Sequence, residues 1–372
     1  MNNGFSFQRM YAVARKEFLH IIRDPATLFF ALFIPVLELF MLGYAIDTNV
    51  RFISTVVINE CQTEESKRLL RAFENSKDFR IVKYVYTEDE ANWMIRAGKA
   101  KVAIKIPEDF SRQLEAKRSA QILVLVDGSE SSVAGEALNV SNALALQETF
   151  KQFAIETGFA IDARPRILFN PDTRSANFFI PGLMVVMCQM MAIMLSANAI
   201  VREKEKGTLE QLFMTPVKAG ELIFGKLIPY LVLTFIEFAT ILFLMWSVFQ
   251  VPIQGYVATL LTLNLPFTFA FLGLGLYIST QVDTREAAGQ MAMGTMMPSI
   301  FLSGYVFPLD SMPAFFWYVA QIFPTTWMID AARGVILRGA GWSELWLHSV
   351  ILWVMGVVAF ALAALKFRKR LT

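Results

Sequence analysis

Two kinds of residue in this 372-residue chain could carry chemistry because of where they fall: a short run of alternating charges, and lone polar groups inside long apolar stretches. The run reads Arg202-Glu203-Lys204-Glu205-Lys206-Gly207-Thr208-Leu209-Glu210-Gln211-Leu212-Phe213-Met214-Thr215-Pro216-Val217, between two segments too apolar for water. Thr208 to Gln211 fits a capping box, in which Thr caps a helix start and Gln reaches back to it. That predicts a short helix to about Met214, stopped by Pro216, which has no backbone donor, and followed by a turn at Lys218-Ala219-Gly220. The plain alternative is a solvated charge run. The lone carboxylates are Glu38 and Glu237. An ionisable group at bilayer depth is costly unless paired or hydrated, so each is read as a proton relay or a contact for a cationic substrate. The plain alternative is a carboxyl that accepts hydrogen bonds from neighbouring helices while protonated. Gln189, Asn198 and Asn264 are pathway candidates of the same kind, against the commoner role of joining helix to helix.

One false lead lies close by. Gly220-Glu221-Leu222-Ile223-Phe224-Gly225-Lys226-Leu227 misses the phosphate-binding pattern G-x-x-x-x-G-K-[ST] at its last position, where Leu replaces the hydroxyl that would hold magnesium. No strand precedes it, and Lys226 is better read as marking the end of a span.

The elements that must position these residues follow from composition. The chain is 55% hydrophobic and 18% charged, with 33 Phe, and its mean hydropathy is +0.47. A soluble domain would have about 45–50% apolar and about 25% charged residues. The excess falls in six blocks, 26–46, 178–201, 227–249, 256–280, 287–307 and 347–365, each near the length of about 20 residues that spans a bilayer. The expected fold is an α-helical polytopic membrane protein with six transmembrane helices. Lys and Arg in the short flanks set the orientation: Arg9, Arg15, Lys16 and Arg23 before the first block, Lys366, Arg368, Lys369 and Arg370 after the last, and Arg202, Lys204, Lys206, Lys218 and Lys226 after the second. Both termini and the 202–226 hairpin are thereby cytoplasmic. The first block follows a polar arm without a small-residue cleavage site, so it reads as a retained span.

Residues 1–25 form a cytoplasmic interfacial helix by this reading, with Phe7, Met10, Tyr11, Ala14, Phe18, Ile21 and Ile22 on one stripe and Asp24-Pro25 breaking it. After the first transmembrane helix, 26–46, comes an inserted extracytoplasmic α/β domain, 47–177. Val- and Ile-rich stretches at 52–59, 79–86, 101–106 and 121–126 read as strands, 64–75, 88–98, 108–118 and 132–157 as helices, and 165–169 as a returning strand. Residues 178–372 hold the remaining spans, with a Pro- and Gly-broken outer re-entrant segment at 308–346 whose Phe and Trp residues suit headgroup depth. The two His, His20 and His348, lie outside the inserted domain, which shows no metal-ligand spacing or nucleophile motif. Cys61 and Cys188 fall in different environments and should not pair. No basic stripe interleaved with aromatics points to nucleic acid.

Taken in order, these features resemble the permease subunits of ABC-2 type transporters with a large extracytoplasmic domain, multidrug and antibiotic exporters among them. The resemblance is carried by Arg23-Asp24-Pro25 at the first span, Arg202 through Pro216 after the second, Gly225-Lys226 at the third, and Pro324-Thr325 through Arg333-Gly334 with Leu337-Arg338-Gly339 before the last. It implies that the hairpin docks on a separate ABC ATPase subunit, with Glu203, Glu205, Lys206 and Glu210 as contacts and Gly207, Thr208 and Pro216 shaping the backbone. It implies further a second permease chain, identical or paralogous, and a bacterial inner (cytoplasmic) membrane location. This chain would bind no cofactor and would not be an enzyme, with ATP and Mg held on the partner ATPase. The expected function is export of amphipathic drug-like compounds by alternating access. Alternatives are a lipid or glycan cargo, or a membrane-anchored sensor or scaffold that transports nothing. A periplasmic adaptor is a further candidate partner that the sequence leaves open.

Overall fold

The computed structural model describes residues 5–45, 52–116, 118–129, 131–157, 170, 174–208, 214–215 and 217–369. The chain divides into two compact units, one of Met1–Ile46 with Ile167–Thr372 and one of Asp47–Arg166.

In the smaller unit four strands, β1 (Ile53–Asn59), β2 (Phe79–Tyr84), β3 (Val102–Ile106) and β4 (Leu123–Val126), lie in the order β2-β1-β3-β4. β1 runs parallel to β2 and β3, while β4 is antiparallel to β3. Period-two alternation sends Ile53 and Val57 of β1 and Val102, Ile104 and Ile106 of β3 to one face, where Leu69, Leu70 and Phe73 of one helix cover them. Val56 and Ile58 with Ala103 point the other way, onto Ala91 and Met94 of another. Burial on both faces explains the consecutive apolar residues Val56, Val57 and Ile58 in β1. The covering helices start where the sequence has a cap: Thr63 accepts from Ser66 N at 3.4 Å and Thr87 from Glu90 N at 3.3 Å. The expected strand at 165–169 lies outside the described residues.

Among the described residues of the larger unit, four helices are long and apolar enough to cross a membrane: Ser175–Glu205, Gly220–Ser247, Val257–Gln281 and Trp342–Lys366. The other two expected spans look different. Residues 26–46 divide into Pro25–Leu28, a π-turn at Phe29–Phe33 and Ile34–Ala45. Residues 287–307 contain a helix, Arg285–Leu302, that stops short because the backbone turns left-handed at Gly304. The 308–346 segment folds into a 3-10 turn, two short helices (Ala314–Ala320 and Pro324–Arg333) and a π-turn at Gly334–Arg338. Phe315, Phe316, Trp317, Tyr318, Trp342 and Trp346 are exposed around it.

Ser175–Glu205 is the central helix. Its apolar stretch is 72% buried within the chain, against 17% for Trp342–Lys366, which therefore leaves most of its surface uncovered by the chain itself. Close approach relies on small residues. A Cβ added at Gly275 would stand 2.6 Å from the Ile193 carbonyl oxygen, and one at Gly356 would stand 2.9 Å from the Phe269 ring.

Backbone bonds define two ends of this bundle. At one, Gln254 N and Gly255 N donate to Ile336 O and Val335 O, each at 2.9 Å, so the turn after one long helix is stitched to the π-turn that precedes another. At the other, side-chain ion pairs tie the N-terminal helix Phe7–Ile22 to the helices carrying Glu203 and Lys226, and Arg285 pairs with Glu205.

Candidate functional site

Four charged residues at this second end, Glu17, Glu203, Glu221 and Lys226, are buried. The N-terminal helix packs its Met10, Val13, Glu17 and Ile21 face against the chain: a Cβ on Gly225 would stand 2.7 Å from Val13 Cβ and 2.8 Å from Met10 O, so only Gly lets the two helices come this close. That contact delivers Glu17, 1% exposed, into the helix bundle. Its Oε1 accepts from Arg202 and, at 2.6 Å, from the Tyr230 hydroxyl, while Oε2 accepts from Lys226 Nζ at 3.1 Å. Lys226 Nζ also donates to Glu203 Oε1 at 3.0 Å, and Lys16 Nζ reaches the same oxygen from the rim at 3.5 Å. Two buried acids, the buried Lys226 and the partly buried Arg202 thus alternate across three segments of chain. Burial pushes the Glu17 carboxyl up, but Lys226, Tyr230 and Arg202 outweigh it and hold the group below the usual carboxylate range. The cluster is charge-balanced and hydrogen-bonded, which a buried ion pair needs to persist.

Below the cluster the helix Ser175–Glu205 ends in a Schellman motif. Gly207 N donates to Lys204 O and Thr208 N to Glu203 O, both at 3.0 Å, with Gly207 left-handed at φ +66°. Thr208 Oγ1 donates to the Glu203 carboxylate. Two more ties hold the end in place. Lys204 Nζ donates to Val282 O at 2.8 Å, and Arg285 Nε pairs with Glu205 Oε2 at 2.6 Å. At the start of the next long helix, Glu221 takes the backbone N–H groups of Ser6 at 2.7 Å and Lys218 at 2.9 Å.

The residues expected from sequence to meet a partner therefore divide. Glu203 is 7% exposed and committed inward, Glu205 is half-buried against Arg285, and Lys206 is exposed. Gly207 and Thr208 shape the turn, but by terminating the preceding helix; the predicted capping-box helix, with Glu210 and Pro216, lies outside the described residues. The near phosphate-binding run 220–227 is helical, with Gly225 used for packing and Lys226 for the cluster.

The intramembrane candidates stand apart. Glu237 is 1% exposed and neither carboxyl oxygen has a partner among the described residues. Glu38 is half-buried on Ile34–Ala45, which packs on the helix carrying Glu237. Gln189 Oε1 accepts from Ser299 at 3.3 Å and from Thr325, and Asn264 Oδ1 accepts from Cys188 Sγ at 3.5 Å, so both join helices, yet each keeps an amide nitrogen without a partner among the described residues. Asn198 donates to Met194 O at 2.8 Å in its own helix. Sequence reasoning missed Glu17 and Tyr230 and treated Arg202 and Lys226 only as topology markers. The one available signal was the spacing of Met10, Val13, Glu17 and Ile21 on one helical face.

Residues 25–365 match the sequence model of the ABC-2 family transporter proteins. The chain belongs to the ABC-2 transporter family. Over its whole length it is 31% identical to the probable multidrug ABC transporter permease YbhS of Escherichia coli, covering 99% of that protein. It is 26% identical to the probable multidrug ABC transporter permease YbhR of the same organism, over 96% of this chain and 98% of YbhR. It is also 25% identical to the inner membrane transport permease YhhJ, over 97% of each. An ABC-2 permease is a membrane transport component, and the family implies a partner ABC ATPase. The ion cluster thus lies in a transporter permease.

Proposed function

We propose that this permease exports amphipathic drug-like compounds across a bacterial inner membrane by alternating access, powered by a separate ATPase. Two copies, or this chain and a paralogue, would enclose the path. Its helices would comprise six spans, the interrupted 25–45 segment and Arg285–Leu302 completing the four longest, with both termini cytoplasmic and the sheet-containing unit outside.

The observation that carries the coupling role is the cluster of Glu17, Arg202, Glu203 and Lys226. It joins the N-terminal helix to two of the long helices, so a push on the surface around Lys206 moves all three together. Lys206, Glu205 and Glu210 would then face the ATPase, while Glu203 braces them from within. The multidrug names of YbhS and YbhR support the choice of cargo; a lipid or glycan cargo is the alternative reading.

The test is purification of the tagged permease from its native membrane beside a Lys206→Glu/Glu210→Lys variant, with co-purifying proteins identified. The reading expects a soluble ATPase with the wild type and its loss from the variant at unchanged permease yield. Equal recovery with both would remove the hairpin from the contact, and no ATPase with either would overturn the coupling role.

A further inference from the structure

Beside the ion cluster lie two adjoining cavities. One, of about 290 Å³, is lined by His20, Asp24, Arg202, Lys206 and Arg285 with Met194, Leu195 and Asn198 among its walls. The other, of about 540 Å³, shares His20 and Asp24 and adds Lys16, Arg23, Leu19 and Pro25. All these residues belong to the larger unit.

The charge balance is one-sided. Arg202, Arg285 and Lys16 are matched by Glu17, Glu205 and Glu203, and Asp24 is the acid in the lining. The side chains of Arg23 and Lys206 have no partner among the described residues, and His20 Nδ1 is buried without one. Paired arginines still present spare N–H groups, since a guanidinium has five donors. The basic lining suits a compact anion with several acceptor oxygens. The larger cavity is mostly apolar in its lining, and next to it the same N-terminal helix exposes Tyr11, Phe18, Leu19 and Ile22. Apolar side chains exposed along one helical stripe belong in the acyl boundary of a membrane, which places the cavities at headgroup depth. Basic pockets between membrane helices at that depth hold anionic headgroups.

We propose that the paired cavities form a binding site for the phosphate headgroup of an anionic phospholipid, gripped by Arg23, Lys206 and the spare donors of Arg202 and Arg285, with its acyl chains along Leu19 and Ile22. The lipid would fill the angle between the N-terminal helix and the first apolar segment. The site does not depend on which compound is exported.

Full-length permease in detergent, offered equal phosphatidylglycerol and phosphatidylcholine of matched chains, is read by native mass spectrometry for retained lipid. Wild type should retain phosphatidylglycerol preferentially. Arg23→Gln/Lys206→Gln should lower that preference roughly tenfold, and Asn198→Phe, which fills the space without changing charge, should lower it as well. Lys366→Gln, at the end of a peripheral helix, should leave it intact. Melting temperatures show that each variant is folded, and the wild-type competition decides alone where one is not. The proposal is overturned by equal retention of the two lipids, by an unchanged preference in the double variant, or by an equal loss with Lys366→Gln, which would mean diffuse attraction. Displacement of the lipid by millimolar inorganic phosphate, itself retained, would overturn it in favour of a free-phosphate site.

Discussion

Glu17 concentrates the physics of this permease in one carboxylate. Removing one partner of a buried ion pair leaves its opposite charges without compensation, at a cost of about 3–5 kcal/mol. Glu17→Ala strands Arg202 and Lys226 in this way, and denaturant titration in detergent should show a loss of that order. Glu17→Ala/Lys226→Met, which removes one charge of each sign, should recover part of it, and a double variant worse than the sum of the singles would refute the pairing. The pH dependence has a fixed sign. The folded carboxyl titrates below its usual range, so the unfolded chain binds more protons through the intervening window. The Glu17 contribution is thus complete above the ordinary carboxylate value of about 4.3 and drains away as pH falls through the lower, folded value. Glu17→Gln should flatten the acid limb of stability against pH; a profile unchanged from wild type would contradict the assignment. Gly207 is the second informative residue, because φ +66° penalises a side chain by about 1–2 kcal/mol and a β-branched one most. Gly207→Val should weaken ATPase recovery more than Gly207→Asn, which tolerates the left-handed region.

At the level of elements, the helices were legible where local chemistry decides them. The apolar blocks, the Val- and Ile-rich stretch that forms Ile53–Asn59 and the helix-prone stretches that form Glu64–Asn75 and Glu88–Arg96 need no tertiary information. What stayed hidden was set by contacts far apart in sequence. Glu17 reads as one more charge in a basic arm until folding brings it against residues 202 and 226. Thr208 also closes the previous helix, through the Schellman geometry at Gly207 and its bond to the Glu203 carboxylate, a role its local sequence does not announce. The π-turn at Phe29–Phe33 leaves no mark on hydropathy at all. Glycines were equally silent, since only the partner helix shows which ones are contact points. Gly225→Val places atoms against both Val13 and the Met10 backbone, so the N-terminal helix must lift away. Hydrogen exchange should rise over residues 7–22 in that variant and remain as in wild type over residues 257–281, which do not touch it. Unchanged protection of 7–22 would show that the helix is held without this contact.

The chain as a whole carries a built-in probe of its own topology. It has two cysteines, and the structure separates their fates. Cys188 is 0% exposed in the centre of the helix bundle. Cys61 is partly exposed in the sheet-containing unit, where burial pushes its thiol up but hydrogen bonds with Ser111 and Thr63 prevail and draw it below the usual range. Thiolates react with maleimides and buried thiols do not, so a bulky membrane-impermeant maleimide distinguishes the two without mutation. If the sheet-containing unit is outside and the termini inside, intact spheroplasts should label Cys61 at once, and Cys61→Ser should abolish the signal. A Lys366→Cys variant in the Cys61→Ser background should label after the membrane is opened and not before. Labelling of Cys61 that also requires permeabilisation would invert the orientation derived from the Lys and Arg flanks. The ion cluster, the Lys206 surface and the basic cavities would then face away from any cytoplasmic ATPase, and the coupling mechanism would fall with the topology on which it stands.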